Sequence, residues 1–268
     1  MSKGISHFCM MLGTAAISIG ILASEASAVT IVSDDFSTGG AGRTVGANLN
    51  GTSPQVGSGT WTNPFGEAAH STQYFEFSDS GTLVRSLDNG AESRIGFSAP
   101  EGSILTIRAE MTPINGTGWS GVAFTQDLTS SWYASQTVVA ARIQNNQFFM
   151  GNASDFGAYS GTMSSFNWDQ SYLLELSYNT DTEEARFQIY DGEVVVGDTG
   201  WNGSFGGEVG AAAFSIRNPV LENPTQVIEP FVGSFEVTSI PEPDSMAGLL
   251  ALVVLGVAFG RRRIVSNR

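Results

Sequence analysis

The sequence predicts an all-β protein, an antiparallel β-sandwich, with an export signal at its N-terminus and a membrane helix at its C-terminus. Three observations predict the sandwich. Apolar and polar residues alternate over short runs, the strand period of two. Glycine is abundant, with 32 residues in 268, and together with Ser, Thr and Asn it interrupts almost every apolar run. Long helical periodicity is scarce, while a hydrophobic content of 41% leaves enough side chains for a sizeable core.

Residues 1–28 have the layout of a secretory signal. Lys3 gives a positive start, Phe8 to Ala23 form a mostly apolar stretch, and Ala26-Ser27-Ala28 is a small-residue cleavage site. The single cysteine, Cys9, falls inside this segment, so the processed chain has none. Disulfides, thiolate metal sites and cysteine nucleophiles are thereby excluded.

Residues 29–240 form one domain, with no linker or composition break and no repeat of fixed period. They hold 7 arginines, no lysine and 23 acidic residues, a formal charge of −16. Such a surface repels phosphate backbones, which argues against nucleic-acid binding.

Within this domain the alternation is explicit. In "ILTIRAEMTP", Leu105, Ile107, Ala109 and Met111 share one face. Leu174, Leu176 and Tyr178 do the same, and Phe187 and Ile189 follow. The Asp191-Gly192 turn then leads to a second run at Val194 to Val196. Asn145-Asn146 separates another pair of runs. Phe231, Phe235 and Val237 line one face of a last strand expected to stop two residues before Pro241. Counting such runs gives about a dozen strands at hairpin spacing, hence two packed sheets.

No catalytic constellation emerges. His70 is the one histidine of the processed chain, and it lacks a Gly-x-Ser-x-Gly elbow to serve. One histidine builds no zinc cluster. The acidic residues lie mainly in turns, where solvation and turn geometry explain them. Asp34-Asp35 admits a structural calcium site with a neighbouring carbonyl, but no Asp-x-Asp-x-Asp-Gly loop occurs, and an Asx-type turn is the preferred reading. No catalytic residue, metal ligand or cofactor is therefore assigned.

Aromatic residues near loops are the better candidates. Trp119, Trp132, Tyr133, Trp168 and Trp201 stand close to glycine, serine or asparagine, a setting for stacking on sugar rings. Trp132-Tyr133 is favoured, because adjacent strand residues face opposite ways and one must point outward. Core packing is the competing explanation for each.

From Met246 to Gly260 fifteen residues carry no charge, and Arg261, Arg262 and Arg263 close the run. The run is short for a full span, but arginines that snorkel lengthen it and mark the cytoplasmic side. Pro241 and Pro243 hold Glu242 in extended chain just before it, a form that a protease cleft accepts.

This ordered trio within residues 241–268 resembles the PEP-CTERM sorting signal. The resemblance implies recognition by exosortase, a membrane-embedded protease-transpeptidase, and removal of the tail. It also implies an inner-membrane-anchored precursor that ends at the cell surface or in the extracellular matrix of a Gram-negative bacterium. The stretches "IVSDDFS", "GWSGVAFTQD" and "LLELSYNTDTEEARFQIYDG" resemble concanavalin A-like or laminin-G-like jelly rolls. That resemblance implies that the first strand, from Val29, lies beside the last, to Thr238. Jelly-roll glycosidases of the laminarinase type carry Glu-x-Asp-x-Glu on one strand, and this chain has no such spacing.

Two functional expectations follow. The first is a non-enzymatic surface or matrix protein with affinity for extracellular polysaccharide. The second is a polysaccharide-active hydrolase on the same scaffold.

Overall fold

The structure, a computed structural model, describes residues 27–40, 42–64, 74–85, 90–112, 118–129, 136–167, 170–217 and 231–242. Among them the chain forms only strands: β1 (Val29–Asp34), β2 (Phe75–Phe77), β3 (Leu83–Arg85), β4 (Ala91–Gly96), β5 (Ser103–Met111), β6 (Trp119–Thr125), β7 (Thr137–Gln144), β8 (Gln147–Gly151), β9 (Phe156–Thr162), β10 (Tyr172–Asn179), β11 (Ala185–Asp191), β12 (Val194–Asp198), β13 (Ala211–Arg217) and β14 (Phe231–Pro241). No helix among the described residues is long and apolar enough to cross a membrane. All but the last two residues of the expected signal, and the tail's apolar run, lie outside them.

All pairings are antiparallel and build two sheets. The eight-stranded sheet runs β12-β11-β10-β5-β14-β3-β2, with β1 also on β14, and the six-stranded sheet runs β4-β13-β6-β7-β8-β9. The fold is an all-β sandwich of jelly-roll type. The first and last strands do lie side by side, Val29 opposite Ser239 and Asp34 opposite Phe235.

Alternation explains how the sheets face each other. Leu105, Ile107, Ala109 and Met111 of β5, Leu174 and Leu176 of β10, and Phe187 and Ile189 of β11 are all fully buried in one core. Val122, Phe124, Val139, Ile143 and Phe214 enter it from the six-stranded sheet. Rings meet across the layers: Phe124 with Tyr178 at 6.2 Å, Phe148 with Phe187 at 6.5 Å, and Phe214 with Phe235 at 5.4 Å. Trp61 sits in this core with Phe36, Phe214 and Phe235 around it.

Two sequence expectations are corrected. A bulge between Val232 and Ser234 shifts the phase of β14, so Val232, not Phe231, joins Phe235 in the core. Finally, β14 does not stop short of the proline motif. Pro241 pairs with Ser103, and the Glu242 N–H donates to the Gly102 carbonyl at 2.9 Å. A proline fits there because it ends the strand and interrupts no further rung.

Candidate functional site

The N-terminal acidic pair is structural. Both oxygens of the buried Asp34 accept from the Arg43 guanidinium, at 2.7 and 2.6 Å. Oδ2 also accepts the Trp61 indole N–H at 2.8 Å, and Oδ1 the Phe36 backbone N–H at 2.9 Å. A cation at Asp34 would have to share this carboxylate with the arginine. Asp35 makes the Asx turn, accepting the Ser37 N–H at 2.8 Å. That bond, aided by the Ser37 hydroxyl and Gln55, holds its carboxyl below the usual range against the opposing effect of burial. Among the described residues no group of three or more His, Cys, Asp or Glu is placed to hold a metal ion.

The outer face of the six-stranded sheet holds Trp119 but is closed. Trp119 is 4% exposed and packs with Ala123, Ala140, Ala213 and the half-buried Phe156. The Arg142 guanidinium lies over three rings, Trp119 at 5.6 Å, Phe149 at 5.2 Å and Phe156 at 4.5 Å. Trp119 therefore has no open ring face, and its role as a sugar platform is withdrawn. Beside this cluster the buried Glu92 and Arg94 form an ion pair at 2.6 Å. Trp132, Tyr133 and Trp168, together with His70, lie outside the described residues. So do Ala26, Pro243 and Arg261, Arg262 and Arg263. Ala28 is described and exposed. Trp201 is 41% exposed, in the loop after β12.

The outer face of the eight-stranded sheet is polar. In register Arg108 of β5 lies opposite both Glu236 on β14 and Glu175 on β10, whose backbones are two strand spacings, about 9–10 Å, apart. Arg108 pairs with Glu175, Nε and Nη2 each 2.7 Å from its Oε2, while Glu236 Oε1 accepts the Thr30 hydroxyl at 3.0 Å. Farther along the face, Arg186 forms a bidentate pair with Asp198. Hydrogen bonding from Arg186 holds the Asp198 carboxyl below the ordinary value, despite partial burial.

A cleft of about 470 Å³ opens at one end of the sandwich. Three connections line it: Gln126 and Thr137 from the ends of the β6–β7 connection, Asn152 and Ser154 from the β8–β9 loop, and Phe205 with Gly206 and Gly207 from the β12–β13 loop. Each is fixed by local chemistry. The Gln126 N–H donates to the Gln136 carbonyl at 2.8 Å and closes the base of its connection. Asn152 Oδ1 accepts the backbone N–H groups of Ser154 and Asp155 at 3.1 and 3.2 Å, an Asx turn. The β12–β13 loop is lashed to the β10–β11 turn, the Phe205 N–H donating to the Glu183 carbonyl at 2.9 Å. Phe205 leans edge-on against Tyr159 at 6.0 Å.

Gly207, at φ +110°, adopts a backbone that side chains avoid, and a Cβ there would stand 2.8 Å from the Gln126 amide nitrogen. Glycine thus leaves the amide its place. Below the cleft the Tyr178 hydroxyl makes a long bond of 3.5 Å to the Gly207 carbonyl. Burial, with Glu183 nearby, pushes its pKa up to about 12 and keeps it a donor.

Among the described residues the lining is two amides, two hydroxyls, one phenyl ring, Ala153 and glycine backbone, with no charged side chain. Sequence reading missed these residues because loop positions carry no period. The signal available was "GWNGSFGG", a glycine-rich loop with two aromatics, of which Phe205 reaches the cleft.

No protein-family model and no curated protein matches the chain. Solved structures do resemble it. An endo-1,3-beta-glucanase from Streptomyces sioyaensis aligns with a TM-score of 0.48 and 10% identity, over 80% of this chain and 97% of that one. The CBM2 module of the evolved Dit of Lactobacillus casei BL23 phage J-1 gives 0.49 and 10%, over 81% and 98%. Arcelin-5, a lectin-like defense protein from Phaseolus vulgaris, gives 0.44 and 10%, over 63% and 90%. The likeness is one of fold and carries nothing about ligand.

Proposed function

We propose that the chain is an exported, non-enzymatic surface or matrix protein whose sandwich binds neutral polysaccharide in the cleft at Gln126 and Phe205. The observation behind this reading is the lining. A sugar offers hydroxyls, which amides and hydroxyls can bond in both senses, and an apolar ring face, which a phenyl ring can cover. A charged or strongly apolar ligand finds no match there. Hydrolysis by the two-carboxylate route needs an acid and a base across the scissile bond, and the described residues of the cleft lining include neither. One ring and a few exposed hydrogen bonds give about millimolar affinity per sugar site, so retention grows with the number of sites on a polymer.

The same proposal includes sorting. The signal-like residues 1–28 and the Pro241-Glu242-Pro243 motif with its apolar run and arginines support an exosortase substrate, anchored in the inner membrane and then released. Electrophoresis of residues 29–242 through gels containing neutral β-glucan or bacterial exopolysaccharide tests the cleft. The expected result is retardation that Gln126→Ala and Phe205→Ala both abolish. Equal mobility of wild type and variants in every polymer would refute the assignment.

A further inference from the structure

We infer that the first two residues of the sorting motif are a folded part of the sandwich, so that the processing protease reads the motif only after the end of β14 has peeled away from β5. This rests on the sorting reading proposed above. The register of β14 against β5 continues without a break from Phe235 through Ile240, opposite Ile104, to Pro241, opposite Ser103. One residue farther, the Glu242 N–H is spent on the Gly102 carbonyl at 2.9 Å.

The bed that receives these residues is itself fixed. The Thr180 N–H donates to the Ser103 carbonyl at 3.0 Å, and Thr180 Oγ1 accepts the Ser103 N–H at 3.0 Å. The Ser103 hydroxyl donates to the Pro100 carbonyl at 2.7 Å. A protease that takes an extended peptide does so by forming its own backbone hydrogen bonds along the strand. At Glu242 the amide is the one backbone donor between two prolines, and the fold already uses it.

The docking is also weak at its tip. Glu242 Oε1 is buried and receives no hydrogen bond among the described residues. A carboxylate oxygen taken from water without a partner opposes the single backbone bond that docks the residue. The closed rung is therefore favoured by little, and opening needs only local fraying while the rest of β14 stays paired. The sandwich thus meters access to its own sorting signal.

The test uses the full chain in a host that carries the processing protease. Inserting Gly-Ser-Gly-Ser between Ile240 and Pro241 frees the motif without altering it or the core of β14. Pulse-chase should show tail removal accelerated by up to about tenfold, the gain available if the open form is near a tenth of the wild-type population. Thr180→Ala, which loosens the bed, should give a smaller acceleration. Hydrogen exchange on the extracted full chain should show the Glu242 N–H protected, and exposed in the insertion variant.

Unchanged processing with the insertion, or a Glu242 N–H that exchanges as in an unfolded peptide, would overturn the inference. A triple alanine variant of Pro241, Glu242 and Pro243 separates the two readings. If it is processed like wild type, the sorting reading fails, and the gating falls with it. If it blocks processing while the insertion has no effect, the sorting reading stands and the gating alone is wrong.

Discussion

Asp34 shows how much one side chain organises. It is 1% exposed and binds Arg43, Trp61 and the Phe36 backbone, tying the segment after β1 to the centre of the aromatic core. Removing a carboxylate from such a pair leaves the arginine buried and uncompensated. Asp34→Ala should therefore lower unfolding stability by about 3–5 kcal/mol in urea titration. Asp34→Asn, which keeps a hydrogen-bond acceptor, should cost less. The acid limb belongs to other residues. Asp35 and Asp198 both have depressed carboxyl pKa values, so the folded state binds their protons less readily than the unfolded chain. Their contribution is full above the ordinary value of 3.8 and is lost as pH falls through the lower folded values. Asp198→Asn should flatten the fall in melting temperature below about pH 4.

Among the strands, β5, β10 and β11 were legible in the sequence, because each keeps one face for the core along its whole length. Legibility ended where pairing is irregular. The bulge in β14 moves Phe231 off the core face, and the register shift between β11 and β12 leaves Val194 and Val195 in solvent. Neither event changes the apolar pattern along the chain. Trp61 gave no alternating neighbourhood to mark it as core, yet its ring lies 5.2 Å from Phe214. The cleft was still less visible, since its lining comes from three connections that meet only through the fold. Close strand approach also has a testable cost. A Cβ at Gly121 would stand 2.3 Å from the Ala141 carbonyl oxygen, so Gly121→Ala should destabilise by about 1–3 kcal/mol in thermal melts. Gln126→Ala, at an exposed position, should leave the melt within about 0.5 kcal/mol of wild type.

At the scale of the whole molecule, the sandwich places its cleft and its exit at the same end. Tyr178, which reaches toward Gly207 at the cleft, is opposite Leu105 on β5, two residues from the Ser103 that pairs with Pro241. A tethered precursor would thus turn its ligand site toward the membrane, and removal of the tail would free it. Replacing Pro241, Glu242 and Pro243 together by alanine should leave the full-length chain in the inner membrane, measured by fractionation and tail-specific immunoblot. Binding without turnover is the central claim. The most direct measurement incubates residues 29–242 with β-glucans and bacterial exopolysaccharide and follows retention on the polymer and release of reducing ends in the same samples. The account predicts retention that Phe205→Ala abolishes, with no increase in reducing ends over time. Steady release of reducing ends, lost when one acidic pair is changed to amides, would contradict it.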